Sequence, residues 1–568
     1  MKNRIGLLIL SIVLVLAVLV GSTYSLVFKV DETDQQSYST GELSVVSMAT
    51  NGEPSFNLNN SLPMSDDDGA SSTPYMFKVT NTGSVPFKFN IKLMSTDDIS
   101  DMISSEYIKL KINDSEVKIL SDLVDGNILE DVILAPGVSM EFSLRVWLSE
   151  NIPNTQIGKV FNAKITTEGY SVVVPAYVTL NNLGLTDNIK FDKPNFYNVS
   201  YSNCDTSENA ICEETVGIYS AQDDLGTSYY FRGDIDYNYV KFGKTSSGAD
   251  MYWRIIRING DGTIRMIYDG TSAYENGNVN NGTNRHVATM AFNSVVNDNA
   301  YAGYMYGLVG MNSGTDDVDK CLIYNNSTSS IENTIAANST KTLCESAGGT
   351  WTTTAYEATH ANLIDSTVKN YLEDTWYSST LKKPEYEKYI ADAIYCNDRG
   401  LDTSNASYTG VGTTKTDYAA NQRFTLETLQ PKLTCTNVND RFTLNKDNFD
   451  IETNGMLNEP VGLITADELT FAGSRTQIKT YDPVVENLKY YLHTGISFWT
   501  MTPFSFYTEN SIAGVRGFFE QRSSGKVAFN TFSQTAGGIR PVISLKNNAL
   551  IYNEETSNGS REYPFVVE

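Results

Sequence analysis

The fold of the first part of the chain is decided by a stretch that reads Phe87-Lys-Phe-Asn-Ile-Lys-Leu93. Apolar and polar side chains alternate here, which is the period of a β-strand with one buried face, whereas a helix repeats every three to four residues. The same alternation recurs in Ile108-Lys-Leu-Lys-Ile112 and in Phe142-Ser-Leu-Arg-Val146. Turn-forming sequences such as Ala135-Pro-Gly137 separate these segments. Short strands at this spacing predict an all-β sandwich over residues 26–180.

A short basic and apolar segment precedes this sandwich. Lys2 and Arg4 are followed by an almost unbroken apolar run over residues 5–20, and small residues follow at positions 21–25. This order is typical of a signal peptide with its cleavage site. The alternative is an uncleaved membrane anchor over residues 1–25. A membrane span needs about 20 apolar residues, so this run is short for one. Both interpretations predict an exported protein at the cell surface or outside the cell. If the leader is not cleaved, the predicted contact with the membrane is made by this N-terminal segment.

The charge balance limits the classes of binding partner that the protein can have. The chain has 42 Lys and Arg against 67 Asp and Glu, a net charge of −25, and no basic stripe. Nucleic acids and anionic lipids attract clustered cations, so a nucleic-acid partner is excluded. Acidic turns at residues 66–69 and 316–319 resemble calcium loops but lack the EF-hand spacing. No metal site or cofactor is therefore predicted, although these turns leave calcium open.

The cysteines indicate disulfides. None of the six forms a C-x-x-C pair, which argues against a zinc ribbon or a thioredoxin-like site. Their even number, together with export, favours disulfides over free reactive thiols. Neighbours in sequence give the simplest of the fifteen connectivities, which is Cys204–Cys212, Cys321–Cys344 and Cys396–Cys435.

The remainder of the chain has a different texture. Residues 181–214 show no sustained period and predict a linker, and residues 549–568 are expected to form a C-terminal tail. Between them, the turn Asn259-Gly-Asp-Gly262 predicts a hairpin between two apolar strands. Residues 215–548 therefore predict a mixed α+β head domain that is stapled by disulfides.

Helices in this head domain are predicted at two places. Val368, Tyr371, Leu372, Thr375 and Trp376 form one apolar stripe at helical spacing. A strand over residues 461–464 is expected to lead into a second helix that begins with the capping box Thr465-Ala-Asp-Glu468 and ends near Gly473.

The first part of the chain resembles the camelysin and TasA family of biofilm-fibre subunits. The resemblance spans about residues 1–180 and is carried by the order of Ser22-Thr-Tyr-Ser25, Ser39-Thr-Gly-Glu-Leu-Ser44, Phe77-Lys-Val-Thr-Asn-Thr-Gly-Ser84 and Gly158-Lys-Val-Phe161. It implies an exported jelly-roll-like sandwich that forms fibres by donating an N-terminal strand to the next subunit. In this sequence the donor strand would contain Leu26, Phe28 and Val30, and pairing of that strand within its own domain is the alternative. Family members are single sandwiches, whereas this chain continues to residue 568.

The head domain resembles a domain of unknown function found in exported proteins of gut Gram-positive bacteria. The resemblance spans residues 215–548 and is carried by Tyr252-Trp-Arg-Ile-Ile-Arg-Ile-Asn-Gly-Asp-Gly262, Tyr395-Cys-Asn-Asp-Arg399, Val461-Gly-Leu-Ile-Thr-Ala-Asp-Glu468, Phe498-Trp-Thr-Met-Thr-Pro503 and Gly538-Ile-Arg-Pro-Val-Ile543. The domain is also loosely similar to C-type lectins and formylglycine-generating enzymes. That similarity implies a compact α+β domain whose long loops form a ligand surface.

Binding, rather than catalysis, is predicted for the head domain. The sequence contains no G-x-S-x-G, H-E-x-x-H or P-loop motif, and of its three histidines His360 and His493 are interpreted as packed or surface residues. A cluster of aromatic residues near the C-terminus contains rings that can stack on a sugar or a peptide. Residues 504–510 follow a proline and are expected to form a loop. The candidate ligand-binding residues are Trp499, which is also a core candidate, Phe504, Phe506, Tyr507 and Arg516.

The predicted function is adhesion or ligand display by an exported cell-surface protein that binds a glycan or protein ligand. The sandwich is in addition a candidate for self-association as a biofilm matrix subunit. The alternative is a secreted hydrolase that acts on polysaccharide or peptide through carboxylates of the head domain.

Overall fold

The structure is a computed structural model that divides into two compact units, residues 1–173 and 174–568. The predicted leader, the donor strand Leu26, Phe28 and Val30, the pair Cys204–Cys212 and most of the predicted linker lie outside the described residues. No helix within the described part is long and apolar enough to span a membrane. The structure describes residues 43–47, 55–58, 61–81, 86–95, 102–113, 115–134, 139–171, 174–190, 194, 196, 216–280, 282–312, 319–333, 340–425, 430–476, 489–509, 512–520 and 526–567.

The first unit consists of two antiparallel sheets. One sheet has the strand order β1-β3-β8-β5-β6 and the other β2-β9-β4-β7. The elements are β1 Leu43–Ser47, β2 Ser55–Asn57, α1 Asp66–Ser71, β3 Tyr75–Asn81, β4 Phe87–Ser95, β5 Ile108–Ile112, β6 Lys118–Ile119, β7 Asn127–Leu134, β8 Ser139–Leu148 and β9 Asn162–Ser171.

One hydrophobic core joins these two sheets. Phe89, Ile91 and Leu93 alternate along β4 and are buried, and the rings of Phe77 and Phe142 stack with centroids 5.2 Å apart. All of these side chains belong to a single buried cluster that draws on both sheets. The three alternating segments thus form β4, β5 and part of β8, which confirms the β-rich prediction for this unit.

The acidic turn at residues 66–69 lies at the start of a helix. Asp66, Asp67 and Asp68 form the first turn of α1, where the Ser65 hydroxyl accepts a hydrogen bond from the Asp68 amide. Carboxylates are favourable at this end of a helix because its amides point outward. Asp66 pairs in addition with Lys109 at 2.7 Å. Asp316 and Asp317 of the other acidic turn lie outside the described residues.

The second unit mixes strands and short helices. Its helices are α2 Pro175–Asn182, α3 Lys341–Ser346, α4 Ala355–Thr359, α5 Thr367–Asn370, the π-helix Tyr371–Tyr377, α6 Ser378–Thr380, α7 Pro384–Glu387, α8 Ala419–Thr425 and α9 Ala466–Ala472. Its strands are β10 Gly217–Asp223, β11 Gly226–Arg232, β12 Tyr239–Lys244, β13 Asp250–Ile258, β14 Ile264–Gly270, β15 Ala288–Ala291, β16 Met305–Tyr306, β17 Lys320–Asn325, β18 Ser330–Asn333, β19 Thr350–Thr352, β20 Ile364–Asp365, β21 Ile390–Ala391, β22 Tyr395–Cys396, β23 Thr416–Asp417, β24 Arg441–Phe442, β25 Arg475–Thr476, β26 Phe498–Glu509, β27 Ile512–Glu520, β28 Lys526–Phe532, β29 Ala536–Ile539, β30 Val542–Leu545, β31 Leu550–Ile551 and β32 Phe565–Val567.

Two large sheets organise this unit. The first has the order β21-β30-β14-β13-β12-β32-β31, with β11 also pairing with β13 and β10 with β11. The second has the order β15-β29-β26-β27-β28-β25, with β23 on β26. The predicted hairpin is β13–β14, and Gly262 in its turn has φ +88°, a conformation that glycine adopts without strain.

The predicted tail and linker both need correction. β32 pairs in parallel with β12, and Phe565 is fully buried, so residues 550–567 complete the first sheet instead of forming a tail. The helix α2 belongs to the second unit, because the Thr179 hydroxyl donates a hydrogen bond to the Gly262 carbonyl. The boundary therefore lies at residues 173–174, not at residue 180.

Both predicted helices are present, but the strand at residues 461–464 is not. Residue Gly462 makes only a single bridge to Val542. The helix α9 begins with both hydrogen bonds of the Thr465–Glu468 capping box and ends at Gly473, which has φ +116°. Two disulfides, Cys321–Cys344 and Cys396–Cys435, confirm two of the three predicted pairs.

Candidate functional site

A cleft lined with charged side chains lies in the second unit, where five separate segments of the chain converge. These segments are the β10–β11 turn, the β13–β14 hairpin, the residues around β22, residues 432–434 and the first turn of α9. We call this the charged cleft and define it by Asp223, Asp224, Arg257, Arg265, Asp398, Lys432, Asp467 and Glu468, all of which line it.

Glu468 joins the hairpin to the helix α9. Its Oε1 lies 3.0 Å from Arg257 Nε and 2.7 Å from Arg265 Nε. Its Oε2 accepts the Thr465 amide at 3.0 Å, which completes the capping box. Burial would raise the pKa of Glu468, but the charges of Arg265 and Arg257 outweigh this effect and the pKa is lowered. Glu468 is therefore ionised and fixed between two cations.

Asp223 and Asp224 approach the cleft from the β10–β11 turn. Asp223 Oδ2 contacts Arg257 Nη1 at 2.6 Å and accepts the Gly260 amide at 2.9 Å. Asp224 Oδ2 accepts the Cys435 amide at 2.8 Å, and burial raises the pKa of Asp224 above its usual value. The turn is thus tied both to the hairpin and to the segment that carries Cys435.

Asp398 and Asp467 share one guanidinium. Arg423 Nη2 donates to Asp398 Oδ2 at 2.5 Å and to Asp467 Oδ2 at 2.8 Å. Burial raises the pKa of Asp467. Burial acts in the same direction on Asp398, but the charges of Arg423 and Lys432 outweigh it and lower the pKa of Asp398. The two neighbouring carboxylates therefore differ in their affinity for a proton.

The backbone of Asp398 is held in an uncommon conformation. Its φ is +46°, in the left-handed region that costs free energy for a residue other than glycine. The Asp440 side chain accepts the Arg399 amide directly after it at 2.8 Å, and the Cys396–Cys435 disulfide anchors the strand before it. These anchors hold the Asp398 carboxylate toward the cleft, and strain of this kind is frequent at functional sites.

The cleft is narrow. The space that the centre of a water molecule can reach is about 30 Å³, enough for one or two water molecules. A ligand of the size of a sugar or a side chain would therefore lie across its mouth. Lys432 is the most exposed of the eight side chains, at 28%, and its Nζ is 3.4 Å from Asp398 Oδ1.

The predicted aromatic ligand surface is wrong for three of its five residues. Phe504 and Phe506 belong to the strand β26, not to a loop, and they are 5% and 0% exposed. Pro503 does not end the strand, because it sits where the pairing of β26 with β27 shifts register. Trp499 is a core residue, in line with the alternative interpretation, and its indole donates to the Met290 carbonyl.

Of the other two predicted ligand-binding residues, the structure describes the side chain of one. Tyr507 is half-buried, and the Lys415 ammonium lies 6.0 Å from the centre of its ring. The side chain of Arg516 lies outside the described ones.

The three histidines are buried. His286 Nε2 lies 3.3 Å from the Thr494 hydroxyl, and burial together with Arg540 and Arg285 lowers the pKa of His286 to about 3. His360 Nε2 lies 3.0 Å from the Gly410 carbonyl, and burial lowers its pKa strongly. His493 is fully buried. These positions agree with packed histidines.

The residues of the charged cleft were missed by the sequence analysis, except for Glu468 as a capping residue. One signal was available, since Arg257 and Arg265 stand inside strands that are rich in apolar residues. Charged residues in such positions must find partners in the folded protein. Across the described ranges, no group of His, Cys, Asp or Glu side chains is arranged to hold a metal ion.

No protein-family model matches this sequence, and a search of curated proteins found no significant relative. The function is therefore inferred from the residues of the chain itself.

Proposed function

We propose that the chain is an exported cell-surface protein that binds a glycan or a protein ligand at the mouth of the charged cleft, for adhesion or ligand display. The observation that carries this proposal is the convergence of eight charged side chains from five segments on one narrow cleft. Fixed donors and acceptors of this kind recognise the hydroxyl and amide groups of polar ligands.

The cost of the arrangement supports a functional role. Removing charged groups from water is expensive, and replacing a buried ion pair by apolar residues is often neutral or stabilising. Asp223, Arg257 and Glu468 are nevertheless almost completely buried together, and the strained Asp398 lines the same cleft. Perturbed carboxylates that gather in a cleft are more frequent at binding and active sites than elsewhere.

Export and display rest on three features of the chain. A basic and apolar leader, an excess of acidic residues and disulfides in the second unit all support an extracellular location. The jelly-roll arrangement of the first unit and the C-type-lectin-like arrangement of the second are part of the same proposal.

Self-association of the sandwich is a further element of this proposal. In the described part of the first unit, β7 is an edge of its sheet and spans eight residues. An exposed edge can accept a strand from another chain. The segment with Leu26, Phe28 and Val30 is the candidate strand.

A hydrolase is the second candidate, and one observation favours it. Asp398 and Asp467 contact the same nitrogen of Arg423, and their pKa values move in opposite directions. Pairs of carboxylates whose environments separate their pKa values are typical of acid–base catalysis. In this interpretation Asp467 donates a proton and Asp398 acts as the base or nucleophile on a glycosidic bond.

The experiment that tests both candidates uses the full chain from which the leader has been removed. Its binding to a glycan array and to mucin would be compared with that of the variant Lys432→Ala, and Lys244→Ala would serve as the control because Lys244 pairs with Asp250 outside the cleft. Binding that is lost only in Lys432→Ala supports the proposal, and binding that is equal in all three proteins contradicts it. Cleavage of a bound glycan that disappears in Asp467→Asn supports the hydrolase.

A further inference from the structure

An amine, a carboxylate and a carboxamide meet in the second unit outside the charged cleft. Glu373 lies in the π-helix, with 1% of its surface exposed, and Lys369 lies one turn earlier and is completely buried. Glu373 Oε2 accepts a hydrogen bond from Lys369 Nζ at 2.7 Å and another from Asn458 Nδ2 at 3.0 Å. A single oxygen atom thus bridges a side-chain amine and a side-chain amide from distant parts of the sequence.

The ion pair between Lys369 and Glu373 differs from an ordinary ion pair in its surroundings. Glu373 Oε1 is buried and has no hydrogen-bond partner among the described residues. Lys369 Nζ also contacts Asp365 Oδ1 at 3.0 Å, so the amine lies between two carboxylates. Asn458 itself is exposed and reaches inward with its amide. Burial of this kind is costly for an amine and a carboxylate unless their charges are removed.

We propose that Lys369 and Asn458 become joined by an intramolecular isopeptide bond, with Glu373 as the residue that transfers the proton. Lys369 Nζ attacks the side-chain carbonyl carbon of Asn458, so that the bond between Nζ and Cγ forms and the bond between Cγ and Nδ2 breaks. Nδ2 leaves as ammonia, carrying the proton that Nζ gives up. The reaction needs no oxidant, reductant or other reactant.

Glu373 is suited to this transfer by its position and by its proton affinity. Its Oε2 contacts both the attacking and the leaving nitrogen, so one atom can take the proton from the first and give it to the second. An amine attacks only in its neutral form, and passing a proton from Lys369 to Glu373 removes both buried charges at once. Burial, opposed by the charge of Lys369, raises the pKa of Glu373 to about 7, which lets the carboxyl group both accept and donate near neutral pH.

The bond would have a structural consequence. It would fasten the helical segment at residues 367–380 to residue 458, next to Glu459, whose carboxylate already pairs with Lys382 of the segment that follows this helix. A covalent tie of this kind resists unfolding and proteolysis in a protein exposed outside the cell. This inference is independent of ligand binding at the charged cleft.

Mass spectrometry of the full chain, with leader removed and disulfides reduced, tests the proposal. We expect the intact mass to be lower than the sequence mass by one molecule of ammonia. We also expect a protease digest to contain a branched peptide in which Lys369 is joined to Asn458. The full sequence mass, loss of water in place of ammonia, or loss of ammonia with only linear peptides would each overturn the proposal.

Variants separate the roles of the three residues. Lys369→Met, Asn458→Ala and Glu373→Gln are each expected to retain the full sequence mass, and Glu373→Gln keeps a side chain of nearly the same shape. The matched control is Lys382→Met, which removes a nearby lysine and is expected to leave the branched peptide intact. A branched peptide of unchanged yield in Glu373→Gln would overturn the role of Glu373, and circular dichroism of each variant establishes that it is folded.

Discussion

Arg257 Nε lies 3.0 Å from Glu468 Oε1, although the two residues are 211 positions apart in the sequence. Arg257 belongs to the β13–β14 hairpin and Glu468 to the first turn of α9, so this contact joins two elements that are each defined by local sequence. Arg265, on the neighbouring strand, contacts the same oxygen. The arrangement makes Glu468 the residue on which the inner part of the charged cleft depends.

Replacement of Glu468 by glutamine should destabilise the second unit strongly. Glutamine can still complete the capping box, so the change removes mainly the charge that compensates Arg257 and Arg265. Breaking a buried ion pair from one side costs about 3–5 kcal/mol of unfolding free energy. Urea unfolding followed by circular dichroism measures this loss. The control Glu345→Gln, at an exposed pair with Lys341, should change the unfolding free energy by less than about 0.5 kcal/mol. Equal stability of the two variants would contradict the role of Glu468.

Acid should destabilise the second unit through His286. Its pKa is about 3 in the folded protein and near 6.5 when unfolded, so the unfolded chain binds the extra proton between these values. The stability is fully present above pH 6.5 and is lost as the pH falls, by about 1.4 kcal/mol per pH unit for this one group. The unfolding free energy, measured at pH 7, 6 and 5, should therefore fall less steeply with decreasing pH for His286→Gln than for the natural chain. The same slope in both proteins would show that His286 is not buried in its neutral form.

Local patterns predicted the elements of this protein better than the places where they meet. The alternating segments, the Asn259-Gly-Asp-Gly262 hairpin turn and the capping box before α9 are confirmed, since each depends on neighbouring residues. The strand β32 could not be predicted in this way, because Phe565 is held by pairing with β12, far away in the sequence. The charged cleft was missed for the same reason, as its side chains come from five segments.

The helical segment at residues 367–380 shows a second limit. Its predicted stripe assumed the period of an α-helix, and Val368, Leu372 and Trp376 are indeed buried. Thr375 is exposed, however, and Glu373 and Tyr377 are buried in its place. Residues 371–377 form a π-helix, whose wider turn rotates later side chains into the core. The buried carboxylate of Glu373 is a result of this rotation.

Removal of the disulfide Cys396–Cys435 should affect binding as well as stability. The bond joins two segments that line the charged cleft, and the residues are 39 positions apart. The variant in which both cysteines are serine should lose about 2–4 kcal/mol of unfolding free energy and most of its ligand binding. In the matched control, Cys321 and Cys344, whose disulfide joins α3 to β17, are both replaced by serine. It should lose stability but retain binding. Binding that survives loss of the first disulfide would separate the cleft from the ligand site.

Replacement of Asp398 by asparagine should weaken ligand binding and, because Asp398 is a buried partner of Arg423, should also lower the unfolding free energy. Asparagine is, after glycine, among the residues that best tolerate a positive φ, so the backbone at +46° can be kept while the charge is removed. A hydrogen bond to a charged group contributes about 1.5–3 kcal/mol, so the dissociation constant for the ligand found on the array should rise by about tenfold or more. Titration calorimetry with that ligand measures the change. Asp125→Asn is the matched control, because Asp125 is exposed in the first unit and also has a positive φ, of +52°. If both variants bind as tightly as the natural chain, the Asp398 carboxylate takes no part in recognition, and the strain at this residue serves only the packing of the ion pairs around Arg423.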